Sequence, residues 1–331
     1  MAFPASSTPI STNPSLLPTK AIYQFPNLGD WAENIAVRPN GDLLVTLLGL
    51  EPQLWQIPQP WTDAPAAALV HTFPSDLYGL VGIAETRPDV FVLAGISLTD
   101  PSISSVWEVI FEGDGGNATT RKIADVPGAV VLNGVAAVPS CSTSPAVVLI
   151  ADSMAGLVWR VDTWTGAVST GVQVPQMAPL GNATSAQNIG INGIKIRDGY
   201  LYFDNSYAAA VYRVQIDGDG FVAAGAVVET VAVISDETFL DDFVFDASGN
   251  IYIASSHGNT VRRVDVATGE SVLVAGAPDQ QTLLGDTAAA LGRTDKDRGV
   301  LYVTTSGYNY SNSTAVEPGK VVAVDVTRSS R

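Results

Sequence analysis

Apolar residues recur along this chain in short alternating runs, and polar turns separate the runs. The clearest unit spans Asp241 to Glu270, where three runs begin at Phe243, Ile251 and Val261. Gly, Asn, Asp and Ser occupy the turns after each run. Short runs rich in β-branched and aromatic residues, separated in this way, predict antiparallel strands. No run in this unit is long enough for a helix of ordinary length.

The same order of runs and turns occurs six times, at a spacing of roughly 45–60 residues. About four strands per unit at that spacing predict an all-β fold, a six-bladed β-propeller. The chain ends on a third-strand pattern at Val321–Val326, and Ala21–Phe25 is a strand without a unit of its own. We therefore predict that Ala21–Phe25 pairs with the last blade and closes the ring.

The chain has 331 residues, a length at which closed all-β folds still form one domain. Residues 1–19 are rich in Pro, Ser and Thr, which predicts a flexible N-terminal arm. Residues 20–331 are predicted to form the single propeller domain.

In a propeller, the first strand of each blade lines the central axis. The loops that enter these strands share one end of the axis with the loops between second and third strands, and we call this end the mouth. It is the expected binding site of the fold. The predicted entrance residues are Glu33, Gly82, Asn133, Asn192, Asp241 and Asp286. Five of these six carry polar oxygen atoms, although Asn and Asp also favour tight turns without any ligand.

Large apolar and aromatic side chains are concentrated near the same loops. The predicted substrate-binding residues are Trp31, Leu132, Met154, Met177, Tyr207, Phe239, Phe243 and Tyr310. A pocket with this lining suits a large, mostly apolar ligand with a few polar groups. Packing between blades is the alternative role for such residues.

Four polar residues are candidates for catalysis: His257, Tyr308, Asn192 and Lys195. His257 lies in a predicted mouth loop. There it either donates or accepts a proton in the reaction, or it faces water in a turn. Lys195 occupies a strand position that holds mostly Ala or Val in the other units. It therefore either pairs with a carboxylate such as Glu85 or reaches the axis.

The formal net charge of −16, without a basic run, disfavours binding to nucleic acid or to anionic membrane surfaces. No apolar run approaches the ~20 residues of a membrane span. A single cysteine, Cys141, excludes an intrachain disulfide and a zinc site built from cysteines. The expected partners are hydrophobic small molecules, and the expected state is a monomer or a weak homodimer.

Four Asn-x-Ser/Thr sequons lie in loops rich in Gly, Ser and Thr, at Asn117, Asn182, Asn309 and Asn312. They favour a glycoprotein of the secretory pathway, with the signal absent from this sequence. A cytoplasmic location is the alternative, because a chain rich in Ser and Thr contains some sequons by chance.

Several residues give the chain a resemblance to the regucalcin/gluconolactonase-like propellers. These are Glu33 in the first blade, Asn192-Gly in the fourth and Asp241 in the fifth, together with Gly-Asn-Ile-Tyr-Ile-Ala and Arg-Val-Asp-x-x-Thr-Gly repeats. The resemblance implies a Ca²⁺ or Mg²⁺ ion held by Glu33, Asn192 and Asp241, which would polarise a lactone carbonyl. The chain departs from the family pattern at Asn34-Ile, where Gly-Pro is usual, and at Asp242, where Gly is usual.

In composition and in its degenerate repeats the chain also resembles the fungal hetero-Diels–Alderases of tropolone–sesquiterpene biosynthesis. This resemblance implies a [4+2] cycloaddition between a tropolone-type ortho-quinone methide and a cyclic sesquiterpene alkene, with no cofactor required. Two alternatives stay open: a lactonase or esterase that depends on a divalent metal ion, and a propeller that binds a small molecule without catalysis.

Overall fold

The computed structural model describes residues 16–113, 115–139, 147–181 and 188–328, which form 26 strands and three short 3-10 turns. Cys141, Asn182 and most of the predicted arm lie outside these residues. Strands are numbered in chain order, and the first, β1 (Thr19–Gln24), belongs to the last blade.

Blades 1 to 3 each contain four consecutive antiparallel strands. Blade 1 consists of β2 (Asp30–Val37), β3 (Leu43–Gly49), β4 (Gln53–Ile57) and β5 (Ala68–Thr72). Blade 2 consists of β6 (Gly79–Arg87), β7 (Val90–Ile96), β8 (Ser105–Phe111) and β9 (Ala118–Asp125). Blade 3 consists of β10 (Leu132–Ala137), β11 (Val147–Asp152), β12 (Leu157–Asp162) and β13 (Val168–Val172).

Blades 4 and 5 follow the same order, and blade 6 takes one strand from the start of the chain. Blade 4 consists of β14 (Ile191–Arg197), β15 (Tyr200–Asn205), β16 (Ala210–Gln215) and β17 (Glu229–Val233). Blade 5 consists of β18 (Phe243–Phe245), β19 (Ile251–Ser255), β20 (Thr260–Val264) and β21 (Ser271–Gly276). Blade 6 consists of β22 (Asp286–Leu291), β23 (Val300–Thr305), β26 (Lys320–Asp325) and β1.

The remaining elements are small. A two-stranded hairpin, β24 (Tyr308–Asn309) and β25 (Thr314–Ala315), lies between the second and third strands of blade 6. The 3-10 turns span Pro101–Ile103, Pro175–Met177 and Val326–Arg328. None of the described helical segments is long and apolar enough to cross a membrane.

The innermost strands form a closed ring. Each of β2, β6, β10, β14, β18 and β22 contacts the next, and β22 contacts β2. Six clusters of buried hydrophobic side chains in the described chain each combine residues from two neighbouring blades. The core therefore lies between blades, because a flat four-stranded sheet buries its faces only by stacking on its neighbours.

Pairing of β1 with β26 completes blade 6, which confirms the predicted closure. The two strands are antiparallel, with Thr19 opposite Val324 and Gln24 opposite Lys320. The strand lies slightly earlier than the predicted Ala21–Phe25, and the Phe25 side chain is buried between blades 1 and 6. Within the predicted arm, the Leu17 backbone N–H donates to the Val274 carbonyl of blade 5 at 2.7 Å.

A fully buried arginine joins blades 1 and 2 at the end of the ring opposite the mouth. Arg38 directly follows β2 and donates to Asp89 Oδ1 at 2.8 Å. It also donates to the carbonyls of Gly113 and Gly115, both at 2.9 Å. The guanidinium lies 4.1 Å from the centre of the Phe111 ring. One side chain thus holds two turns of blade 2 against blade 1.

Candidate functional site at the mouth

Strand pairing is irregular near the mouth in five of the six blades. In blades 1, 2, 3, 4 and 6 the register of the first strand shifts close to its entrance. Such bulges redirect side chains and are common next to active sites. We align the six blades on one pair of opposed core residues in the first and second strands of each blade. In blade 1 this pair is Ile35 and Val45, and in blade 5 it is Phe243 and Ile253.

The residue two places before the first-strand member of each pair is the entrance residue. The six are Glu33, Val81, Asn133, Asn192, Asp241 and Thr287. The predicted Gly82 and Asp286 are therefore each wrong by one position, because the bulge changes the count between turn and strand. Five polar positions out of six remain, with Thr287 in place of Asp286 and Val81 as the apolar one.

Five buried carboxyl groups lie together below the mouth, and we call them the acidic cluster: Glu33, Asp204, Asp241, Asp242 and Asp286. None of the five is more than 7% exposed. Burial raises the pKa of Glu33, Asp204 and Asp286 well above the usual range, and the charge of Asp241 raises each of them further. Asp241 thus interacts electrostatically with all three of these carboxyl groups.

Burial also raises the pKa of Asp241 itself, from 3.8 to about 7. The neighbouring Asp242 raises this pKa further, whereas the Ser256 hydroxyl, which donates to Asp241 Oδ2 at 2.7 Å, lowers it. Burial therefore favours the protonated forms of these carboxyl groups.

Both departures from the regucalcin-like pattern, Asn34 and Asp242, belong to one hydrogen-bonded network with Lys195. Lys195 Nζ donates to Asp242 Oδ1 at 2.5 Å, and Asn34 Nδ2 donates to Asp242 Oδ2 at 2.9 Å. The network connects blades 1, 4 and 5. Lys195 therefore pairs with a carboxylate, as one of the two alternatives predicted, but the partner is Asp242 and not Glu85. Glu85 instead accepts a hydrogen bond from Arg293 at 2.5 Å.

The three predicted metal ligands, Glu33, Asn192 and Asp241, are close to one another in the structure. The charge of Asp241 raises the pKa of Glu33, and a hydrogen bond from the Asn192 side chain lowers the pKa of Asp241. Asn192 Nδ2 donates to Ser206 Oγ at 3.0 Å, whereas its buried Oδ1 has no hydrogen-bond partner among the described residues.

Carboxylate and amide oxygens are the donors that Ca²⁺ and Mg²⁺ prefer. The donor chemistry of Glu33, Asn192 and Asp241 therefore fits a hard cation, with water or backbone oxygens needed to complete its coordination. In the described ranges, no three His, Cys, Asp or Glu side chains are arranged to hold a metal ion. The predicted set contains only two such residues and an amide.

Six aromatic rings form a continuous surface at the mouth, and we call them the aromatic cluster: Trp31, Tyr207, Phe239, His257, Tyr308 and Tyr310. Successive ring centroids are 4.4–6.4 Å apart. All six side chains are half-buried. His257 lies between Phe239 and Tyr310, at 4.6 and 4.4 Å. Every member was among the residues predicted from the sequence, and the structure brings them together.

The aromatic cluster covers part of the acidic cluster. Burial, followed by the charges of Asp241 and Glu33, holds the pKa of the Tyr310 hydroxyl well above its usual range. Its ring therefore packs at the mouth while its hydroxyl lies close to the carboxyl groups. Burial lowers the pKa of His257 from 6.5, so the imidazole is neutral at neutral pH.

Three predicted substrate-binding residues lie in the core instead. Leu132, Met177 and Phe243 have no exposed surface and pack between blades 2 and 3, 3 and 4, and 4 and 5. The packing alternative describes them: Leu132 and Phe243 lie on inner strands and Met177 in a 3-10 turn, and all three contact side chains of a neighbouring blade. Met154 is half-buried, and Asn188 Nδ2 approaches its sulfur at 3.8 Å.

A protein of Phoma sp described as "Putative hetero-Diels-Alderase" is 37% identical to this chain over 314 residues, which cover 87% of this chain and 86% of that protein. The chain belongs to the hetero-Diels-Alderase family. A second hetero-Diels-Alderase relative, from Sarocladium schorii and described in the same words, is 33% identical over 96% of this chain and 86% of its own length.

Among solved structures, a calcium-binding regucalcin of Agrobacterium tumefaciens matches this chain with a TM-score of 0.61. The match covers 93% of each chain at 17% sequence identity, so it shows a common propeller fold. No family model matches the chain.

Two polar residues of the candidate site, Asn34 and Asp204, were not predicted as site residues from the sequence. Asn34 follows the entrance residue Glu33, and its bond to Asp242 crosses the axis. Asp204 lies in the second strand of blade 4, where it accepts the Gly193 backbone N–H at 2.7 Å. A side chain on Gly193 would collide with both Asp204 and Asp242, so this close approach requires glycine. An Asp directly after the apolar run Tyr200–Phe203 was the available signal.

Proposed function

We propose that this protein catalyses an intermolecular hetero-Diels–Alder reaction between a tropolone-type ortho-quinone methide and a cyclic sesquiterpene alkene. The observation that carries the proposal is the aromatic cluster at the mouth, in a chain of the hetero-Diels-Alderase family. In the reaction, the methylene carbon of the quinone methide bonds to one alkene carbon and its oxygen bonds to the other. No atom is lost and no electron carrier is needed.

Placement of the two reactants supplies most of the catalytic effect in this proposal. The rings of Trp31 and Tyr308 are nearly parallel, with 28° between their planes and 6.0 Å between their centroids. They offer flat surfaces for a planar diene. Holding two reactants in attack geometry contributes up to ~7–11 kcal/mol.

Hydrogen-bond donors supply the remainder, because negative charge develops on the quinone-methide oxygen as the carbon–carbon bond forms. We assign the Tyr308 hydroxyl and the neutral imidazole of His257, both in the aromatic cluster, as the donors to this oxygen. Asn192 and Lys195 lie in the floor, where the Lys195 ammonium adds positive potential. Donors placed for a developing oxyanion lower barriers most when water is excluded.

The direct test is incubation of the purified protein with a quinone-methide precursor and a humulene alcohol. We expect formation of one stereoisomer of the adduct, faster than the background reaction and unaffected by EDTA. Chiral chromatography of the product measures both. A racemic adduct at the background rate would contradict the proposal.

Replacement Tyr308→Phe keeps the ring and removes the hydroxyl. We expect kcat for the cycloaddition to fall about 10- to 100-fold with little change in KM, because a donor to the transition state is lost while stacking remains. Steady-state kinetics at pH 7 measures the split. Tyr212→Phe, in a half-buried tyrosine packed on Phe203 away from the mouth, is the matched control and should leave both constants unchanged.

Hydrolysis of a lactone with a bound divalent cation is the second candidate, and the unpartnered Asn192 Oδ1 beside Asp241 favours it. Glu33, Asn192 and Asp241 would hold the ion, which when bound would polarise the lactone carbonyl. In that role the carboxylates must be ionised, so ion binding would compete with the protonation that burial favours.

Thermal unfolding with and without Ca²⁺ distinguishes the two candidates. A cation site would stabilise the folded state by about 2.7 kcal/mol at a hundredfold excess over its Kd. Glu33→Gln should remove this effect, and Glu270→Gln, at an exposed turn of blade 5, should retain it. A melting temperature independent of Ca²⁺ and Mg²⁺ in the unaltered protein would contradict the metal candidate.

A further inference from the structure

The loop after the second strand differs in size around the mouth. Counting four residues past the paired core residue of each second strand gives one position per blade: Gly49, Ser97, Met154, Tyr207, His257 and Gly307. Blades 3 to 5 carry large side chains there, and blade 6 follows its glycine with Tyr308 and Tyr310. Blades 1 and 2 have only glycine and serine, so the same space is not filled by the loop.

A cavity of about 400 Å³ lies at that place, between blades 1 and 2 and on the same end of the ring as the mouth. Gly49 and Ser97 are both in its wall. This volume falls within the range of about 300–1,000 Å³ found for small-molecule sites. The cavity is therefore present because blades 1 and 2 have small residues at the position where blades 3 to 5 have large side chains.

Leucines line this cavity together with the rings of Phe73 and Tyr78, the latter 43% exposed. Leu50 and Leu98 stand at its rim with 57% and 53% of their surface exposed, and buried Phe73 and Leu77 form its base. Exposed leucines on a concave surface are the feature that an apolar ligand would cover. Glu51 and Asp76 also line the cavity. Their negative charge disfavours a ligand that carries a carboxylate.

We propose that this cavity is a second substrate subsite, which binds a neutral, non-planar aliphatic reactant while the aromatic cluster binds the planar one. The assignment rests on the proposed cycloaddition for its biological meaning, but the binding itself can be tested without that reaction. It divides the mouth end into two chemically different parts, one with exposed leucines between blades 1 and 2 and one formed by the aromatic cluster of blades 1, 4, 5 and 6.

The test uses two simple probes, cyclododecanol for the cavity and tropolone for the aromatic cluster, with affinities measured by titration calorimetry. The double variant Leu50→Asp/Leu98→Asp should weaken cyclododecanol binding at least tenfold and leave tropolone binding unchanged. Leu180→Asp is the matched control, because Leu180 is 60% exposed on the same end of the ring between blades 3 and 4. It should change neither affinity by more than twofold. Leu98→Trp, which fills the cavity without adding charge, should also weaken cyclododecanol.

Three results would overturn the subsite. These are no measurable binding of cyclododecanol by the unaltered protein, equal binding by the double variant, or an equal loss in Leu180→Asp. Kinetics with the two reactants separates the subsite from the reaction. Selective cyclododecanol binding without adduct formation would remove the cycloaddition and retain the subsite. Adduct formation by the double variant at the unaltered rate would remove the subsite and retain the cycloaddition.

Discussion

Replacement Asp241→Asn is expected to stabilise the folded protein at neutral pH, on the order of 4 kcal/mol at pH 7 and above. Burial raises the pKa of Asp241 from 3.8 to about 7, and each unit of difference corresponds to about 1.4 kcal/mol. The folded state holds the proton more tightly than the unfolded state. The stability from this carboxyl group is therefore complete below pH 4 and is lost as pH rises to about 7. An amide carries no charge and avoids that loss.

Urea unfolding between pH 4 and pH 8 measures the effect. The difference between Asp241→Asn and the unaltered protein should be small at pH 4, grow through pH 5 and 6, and level off above pH 7. Glu33, Asp204 and Asp286 face the same space, and the charge of Asp241 raises the pKa of each. Removal of that charge lowers these pKa values, which adds to the stabilisation at neutral pH.

Asp162→Asn is the matched control with the opposite sign. Backbone hydrogen bonds from Thr165 and Trp164 lower the pKa of Asp162, so this group adds stability that is present above its unfolded pKa and lost towards acid. Its amide variant should be less stable at neutral pH. An Asp241→Asn variant that behaved in the same way would show that Asp241 is ionised and compensated in the folded protein.

Replacement Arg38→Met is expected to lower the free energy of unfolding by about 3–5 kcal/mol. The guanidinium is fully buried and makes three hydrogen bonds at 2.8–2.9 Å to Asp89 and to two carbonyls of blade 2. Methionine fills similar space but leaves a carboxylate and two carbonyls without a donor, and breaking a buried ion pair carries a cost of this size. Urea unfolding at pH 7 measures it.

Two further variants define the origin of that loss. Arg298→Met removes an ion pair with Asp295 in which both side chains are at least 75% exposed, and it should change stability by less than about 0.5 kcal/mol. Arg38→Lys keeps the charge, but one ammonium group cannot reach three acceptors as the planar guanidinium does, so most of the loss should remain. A loss in Arg38→Met no larger than in Arg298→Met would show that blades 1 and 2 hold together without this side chain.

The propeller could be predicted from the sequence because its information is local. Alternating runs such as Ile251–Ala254 and turns such as Asp246–Asn250 specify strands without reference to distant residues. The repeat then leaves Ala21–Phe25 without a unit and Val321–Val326 without an outer partner, which is enough to predict their pairing. The entrance residues are harder to predict from the sequence. Bulges insert a residue in the strand, so Gly82 and Asp286 were each displaced by one place.

Contacts across the axis could not be predicted in the same way. Lys195 is recognisable as unusual from the repeat, but its partner Asp242 belongs to the next blade and Asn34 to a blade on the other side of Asp242 in the ring. Such neighbours depend on the angle between blades. Burial also depends on that angle, which is why Phe239 and Phe243, four residues apart, end at the mouth and in the core.

Closure of blade 6 by the first strand has a consequence for synthesis on the ribosome. Among the described strands, residues 19–24 are translated before all others and residues 320–325 after all others, yet they pair with one another. The earlier blades can stack while translation continues, but the final seam forms only after the end of β26 has emerged. Until that moment β1 lacks its partner strand, and its edge stays unpaired on the nascent chain.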